Sequence, residues 1–174
     1  AARRVEEDGY DAIMTNEKDV VLVGFSADCV LIYFYDKVKN AIAIAHSGWR
    51  GTVLGIGGKV VKRMKEEFGS NPKDIVCGIA PAIGVDHFQV DIPVVTAFRQ
   101  AYDWADKFIY PDENMAERWF IDLHSINEEI LVNEGIKREN IENSRICTQC
   151  DPDRFFSHRV MGAKRGTLAG FMSL

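Results

Sequence analysis

The sequence predicts an α/β protein of the α+β type, a single domain in which mixed β-sheet layers pack against about three helices. Three observations predict it. Strand-like runs occur in neighbouring pairs as well as between helices, three stretches carry helical apolar spacing, and no Gly/Ser- or Pro-rich linker divides the chain. Val20–Phe25, Cys29–Tyr35 and Ala41–His46 are β-branched or aromatic runs and read as strands. Thr52–Phe68 reads as one helix, because Ile56, Val60, Met64 and Phe68 recur on one stripe that Val53 and Val61 widen; Gly69 stops it. Ile75–Ile79 is the next strand. Asp91 then offers an N-cap to a second helix, with Pro93 in its first turn and Phe98 and Tyr102 on its inner face. Trp119–Ile121 reads as a strand before the third helix, Asp122–Asn133, which buries Leu123, Ile126 and Ile130 and ends at Gly135. Arg145–Cys147 and Leu168–Met172 read as the last strands.

At 174 residues the chain can bury about 70% of its unfolded surface and needs no disulfide scaffold. A content of 47% hydrophobic and 27% charged residues excludes disordered, collagen-like and coiled-coil classes. No apolar run approaches the ~20 residues of a membrane span, and no secretory leader pattern is present. The net charge of −5 argues against a nucleic-acid binder, which needs a basic face. Four cysteines are too few for a disulfide framework, so a reducing cytoplasm is the expected compartment. The opening Ala1-Ala2-Arg3-Arg4 has no methionine and reads as a processed product or fragment.

The chemistry concentrates between residues 26 and 52. Two β-rich runs flank Asp36–Lys39, which predicts an antiparallel hairpin. If that four-residue stretch is the loop, Tyr35 faces Asn40 and Cys29 faces His46 directly, with Cβ atoms about 5 Å apart. A thiolate and an imidazole at that separation could share one metal, or the histidine could deprotonate the cysteine. Both faces of the hairpin are apolar: Leu31, Tyr33, Ile42 and Ile44 on one, Val30, Ile32, Phe34 and Ala43 on the other. The pair therefore falls at the end of buried strands. Beyond it, Gly48-Trp-Arg-Gly supplies a tight turn, an aromatic platform at Trp49 and a guanidinium at Arg50, next to a helix start that favours anions. The bland alternatives are a core cysteine, a hydrogen-bonded strand-end histidine, and an Arg50–Asp28 ion pair.

These residues carry a resemblance. Ala27-Asp-Cys-Val and Ala45-His-Ser-Gly-Trp-Arg-Gly-Thr closely resemble the signature of the purine nucleoside phosphorylase YfiH/LACC1 family, formerly called multicopper polyphenol oxidases or laccase-domain proteins. Asp11-Ala-Ile-Met-Thr resembles a strand of that family, and Ala80-Pro-Ala-Ile-Gly its Gly-Pro-x-Ile-Gly turn. Cys147-Thr, Phe155-Phe-Ser-His-Arg159 and Lys164-Arg-Gly resemble its ending. The likeness runs from about Asp11 to Leu174. It implies a zinc site of one Cys and two His, with Cys29 and His46 matching two ligands. The third lies in a Gln-Val-His segment upstream of the family's first matching strand, and no such segment occurs here. The expectation is that this portion is missing from the chain or that the metal site is incomplete. Ala80 for the family's usual Gly, and His87-Phe-Gln-Val for Cys-Tyr-Glu-Val, are further departures.

The resemblance implies a zinc-dependent enzyme acting on purine nucleoside and phosphate: phosphorolysis of adenosine, inosine or methylthioadenosine, with adenosine deamination as a second activity. Arg50 and Arg159 would hold phosphate, Trp49 would supply a platform for substrate, and Asp28 would serve as acid/base in deamination. The cofactor would be Zn²⁺, with Cu²⁺ as the alternative. Three rivals stand beside this reading: a copper-dependent phenol oxidase, a binding or structural domain without activity, and a cysteine hydrolase using Cys29 and His46. One Cys/His site lacks the several coppers that four-electron oxygen reduction normally uses, which ranks the oxidase lower. Elsewhere, His87 reads as a surface-loop histidine or a replacement ligand, His124 as structural and Cys77 as core. Cys147-Thr-Gln-Cys150 has redox or zinc spacing, but with no second Cys pair to complete a knuckle it does not read as a metal site.

Overall fold

The computed structural model describes residues 10–174; the opening Ala1–Arg4 lies outside the described residues. Its central sheet has five strands in the order β1-β4-β3-β5-β9: β1 (Ala12–Thr15), β4 (Ala41–Ser47), β3 (Val30–Asp36), β5 (Ile75–Ile79) and β9 (Ile141–Asn143). Neighbours are antiparallel except β5 and β9, which run parallel, so the sheet is mixed. A ribbon of β2 (Val21–Ser26) and β10 (Leu168–Ser173) and a three-stranded sheet of β6 (Gln89–Asp91), β8 (Arg118–Ile121) and β7 (Ile109–Pro111) complete the β-structure.

The hairpin's two apolar faces go to two different cores. Val30, Ile32, Phe34, Ala43 and Ala45 face a large cluster. It is built with the helices α2 (Ile56–Phe68), α3 (Ile92–Ala101) and α4 (Leu123–Asn133). Leu31, Ile42 and Ile44 face a smaller one closed by Leu22 of β2 and Met172 of β10. Strands buried on both faces lose polar alternation, and these sequences show that.

Four sequence expectations need correction. The hairpin register differs by two residues: Leu31, not Cys29, is the direct partner of His46, and Asp36 pairs with Ala41. Asp36 Oδ1 accepts the backbone N–H groups of Val38 and Lys39 at 2.8 and 2.9 Å, and Asn40 takes φ 51°. This Asx turn draws Asp36 into the strand and leaves residues 37–40 as the loop. A shift of two preserves the faces, which is why the core reading survives. The helix expected over Thr52–Phe68 is two helices, α1 (Trp49–Val53) and α2, because Gly55 adopts a left-handed φ of 67° and Tyr102 Oη donates to the Thr52 carbonyl at 2.6 Å. Arg145–Cys147 is no strand. Arg145 turns at φ 50° with its N–H on Asn143 Oδ1, leaving one isolated bridge from Ala82 to Cys147. Finally, the tight turn expected at Gly48-Trp-Arg-Gly is the start of α1, with Gly48 as its N-cap; Asp91 occupies the N-cap of α3 as expected, and Asp122 caps α4 by accepting from Ser125 N at 2.9 Å.

A buried polar knot fixes the turn after β4. Ser47 Oγ donates to Asn127 Oδ1 at 2.8 Å, and Asn127 Nδ2 donates to Thr52 Oγ1 and the Leu123 carbonyl. All three side chains are fully buried. The knot ties the start of α1 to α4 and so sets where Gly48 and Trp49 sit.

Candidate metal and substrate site

Ala27, Asp28 and Cys29 form the tight link between β2 and β3. Asp28 takes φ 79°, a strained conformation for a residue with a side chain. Its buried carboxylate accepts from Thr148 Oγ1 at 2.6 Å, Ser157 Oγ at 3.0 Å and Arg159 N at 2.7 Å. This link presents Cys29 toward the end of β4, beside His46. Gly48 lies against the pair: a Cβ there would stand 3.0 Å from Cys29 Sγ and 3.7 Å from His46 Cε1.

Asp11 grips His46 twice. The His46 N–H donates to the Asp11 carbonyl at 2.7 Å, and Asp11 Oδ1 is 3.1 Å from His46 Nδ1. A carboxylate on Nδ1 leaves Nε2 as the nitrogen whose lone pair is open to a metal, the usual outer support of a histidine ligand. The Cys29 hydrogen bond and then the Asp11 carboxylate push the His46 pKa up to about 9, against burial, which lowers it. A borderline-soft sulfur and nitrogen converging where only glycine leaves room fit Zn²⁺ or copper.

A metal taken up by this pair would meet a pH dependence set by that pKa. Ligation needs neutral imidazole, and His46 is raised well above its ordinary 6.5, so it is protonated near pH 7. Metal binding to this pair should release its proton, and apparent affinity should climb as pH rises toward about 9. Calorimetry in buffers of different ionisation enthalpy measures the release; pH-independent affinity between about 7 and 9 would contradict it.

Beside Cys29 opens a cavity of about 460 Å³, walled by Ile83, Phe88, Val90 and Leu123 and bordered by Asp28 and Trp49. Arg118, Arg159 and Arg165 line it as well. His46 faces the other way, into a smaller space of about 270 Å³ with Asp11 and Gly24, so the Cys/His pair stands between two cavities. Arg50 does not line the larger cavity. Its guanidinium stacks 4.3 Å from the Trp49 ring and makes no ion pair with Asp28, whose carboxylate accepts from Thr148, Ser157 and Arg159 N instead. Arg159 donates to the carbonyls of His87 and Gln89 at 3.1–3.3 Å.

Sequence reasoning missed Arg118 and Arg165 as cavity residues. Arg165 Nε is buried without a hydrogen-bond partner among the described residues. It stands in the stretch that resembles the family ending, which was the available signal. His124 is buried with Nδ1 2.9 Å from Asn143 Oδ1, a structural role, and Cys77 is core. Sequence reasoning also separated His87 from Cys147 and Cys150. The structure joins them: their donor atoms all lie within 4.8 Å of one another, a group that fits a metal site.

The sequence pattern of the multi-copper polyphenol oxidoreductase laccase family matches residues 1–174. The chain belongs to that family. Among laccase-family relatives, a Bacillus subtilis protein named purine nucleoside phosphorylase YlmD is 39% identical over 94% of this chain and 58% of its own length. A protein named adenosine deaminase RL5, from an unidentified prokaryote, is 33% identical over 91% of this chain and 60% of its own. The crystal structure of Bacillus licheniformis YfiH, at 37% identity, superposes with a TM-score of 0.90 over 94% of this chain and 61% of that one. The chain thus spans about three fifths of these laccase-family proteins, and the α+β architecture is theirs. No helix among the described residues is long and apolar enough to cross a membrane.

Proposed function

We propose that this chain carries the purine nucleoside site of a phosphorylase, cleaving adenosine, inosine or methylthioadenosine with phosphate, with adenosine deamination as a second activity. The observation that carries the reading is the cavity. Trp49, Phe88 and Ile83 offer an aromatic and apolar wall to a flat base, arginines stand at the same opening, and Cys29 lies at its edge. The names of YlmD and RL5 support the two activities.

In phosphorolysis a phosphate oxygen bonds to ribose C1′ as the bond from C1′ to the base nitrogen breaks, and the base departs with that electron pair and takes up a proton. Arg165, with its unpartnered buried Nε, is placed to hold the phosphate, with Arg159 tied beside it. Arg50, stacked on Trp49 and outside the cavity lining, would have to swing off that ring to hold the same anion. Cys29 and His46 would hold Zn²⁺, or Cu²⁺ as the alternative, which when bound supplies a Lewis acid with an open position. For deamination, water replaces the C6 amino group and ammonia leaves; Asp28 is the carboxylate at the wall, and with three donors on it one acceptor site, on Oδ1, is left to take a proton.

The test is product analysis with inosine and phosphate. Free base together with ribose 1-phosphate is expected; no phosphate-dependent cleavage by the zinc-loaded chain would overturn the reading. Arg165→Lys and Arg50→Lys keep charge but lose the bidentate fork, and each should weaken phosphate use by about 1–3 kcal/mol, Arg165→Lys the more. Deamination should suffer much less, since no phosphate enters it. Equal losses in both activities would assign these arginines to holding the site together.

A further inference from the structure

His87 and the Cys147/Cys150 pair are 60 and 63 residues apart in sequence, yet two backbone threads bind their segments together. Ala82 N donates to the Ile146 carbonyl at 3.2 Å and Thr148 N to the Ala82 carbonyl at 3.0 Å. His87 N then closes a turn on the Gly84 carbonyl at 3.1 Å. The result aims His87 Nδ1 at both sulfurs, 3.4 Å from Cys147 Sγ and 3.6 Å from Cys150 Sγ. The two sulfurs lie within 4.8 Å of each other. Around a tetrahedral zinc with Zn–S about 2.3 Å and Zn–N about 2.0–2.1 Å, the edge between a nitrogen and a sulfur is about 3.6 Å. Both distances have that length.

Cys147 has a backbone donor and close packing at its sulfur. Gly84 N donates to Cys147 Sγ at 3.2 Å, and a Cβ at Gly84 would stand 2.9 Å from Cys147 Cβ and 3.2 Å from its Sγ. Such an N–H to sulfur bond is the kind of outer support that orients a metal-bound thiolate. Cys150 is exposed, which leaves a fourth position open to water, with the Asp86 carboxylate close by. Two sulfurs and an imidazole select a borderline or soft ion over Mg²⁺ or Ca²⁺.

We propose that His87, Cys147 and Cys150 form a zinc site of their own, apart from Cys29 and His46, that pins the C-terminal segment to the loop walling the cavity. Both of its anchors lead to that wall. The His87 carbonyl accepts from Arg159 Nη1 at 3.1 Å, and Thr148, next to Cys147, donates to Asp28. The ion acts here as a fastener, and its residues take no part in the reaction proposed above.

The test uses the full chain carrying Cys29→Ser, stripped of metal under reductant and titrated with Co²⁺ as a spectroscopic probe. One equivalent should bind with thiolate-to-cobalt charge transfer and tetrahedral visible bands, and Zn²⁺ should displace it. Adding Cys150→Ser or His87→Ala should lower affinity at least about 100-fold and remove or weaken those bands. Zinc should also raise the Tm of the Cys29→Ser chain and not that of the doubly substituted one. In the unsubstituted chain, zinc should protect Cys147 and Cys150 from alkylation, a readout that needs no variant. Absence of Co²⁺ uptake with no protection of the two cysteines, or uptake indifferent to Cys150→Ser, would overturn the proposal. So would recovery of Cys147 and Cys150 as a disulfide after air oxidation in the presence of zinc. The outcome is independent of phosphorolysis, because the Cys29→Ser background already lacks it in the reading above.

Discussion

Cys29→Ser should abolish stoichiometric metal binding between Cys29 and His46 and lower nucleoside cleavage by about 10³-fold or more. A serine hydroxyl is nearly isosteric but does not ionise near neutral pH, so it replaces the hydrogen bond to His46 far better than the metal ligand. The fold should therefore persist, with far-UV circular dichroism unchanged and the Tm of the metal-free chain close to that of the parent. Metal analysis must discount the ion expected at His87, Cys147 and Cys150, most simply by comparing both proteins in the Cys150→Ser background. Unchanged turnover, or an equal metal content in that background, would defeat the assignment of Cys29 as a ligand.

Asp28→Ala should be the most destabilising single substitution outside the apolar core, by about 3–5 kcal/mol. Three donors lose their acceptor at once: Thr148 Oγ1, Ser157 Oγ and Arg159 N. Thr148 and Ser157 are fully buried and have no water to turn to. Alanine also tolerates φ 79° less well than aspartate, whose short polar side chain suits left-handed positions, so the backbone effect adds in the same direction. For a chain of this length the loss corresponds to a fall in Tm of about 6–20 °C. Asp28→Asn keeps an acceptor on the same frame and should lose about half as much. A change in Tm within about 2 °C for the alanine variant would show that the three bonds do not organise this wall.

The hairpin shows how far the local pattern carries and where it stops. The alternation of Leu31, Tyr33 and Val30, Ile32, Phe34 assigns side chains to two faces by the period of a strand, and both cores are built on those faces. The register depended on which residue starts the loop. That choice was made by the Asp36 carboxylate capturing two backbone N–H groups, which moves the start of the loop one residue past Asp36. Similarly, the stripe over Thr52–Phe68 was legible as helix. Its break at Gly55 is sealed by Tyr102, fifty residues away, which no local spacing could announce.

From the sequence alone came the class of fold, the two apolar faces of the hairpin and the family likeness. All of these rest on neighbours in the chain, where the pleat and the motif spacing are enforced by covalent geometry. Tertiary structure decided the rest. It placed Arg118 and Arg165 on the cavity and Arg50 on the face of Trp49, occupied the Asp28 carboxylate with donors from residues 148–159, and carried His87 to Cys147 and Cys150. The Asp28 contacts and the His87–Cys147–Cys150 group join segments separated by 60 or more residues through bonds between loops, so nothing in the local order of residues encodes them.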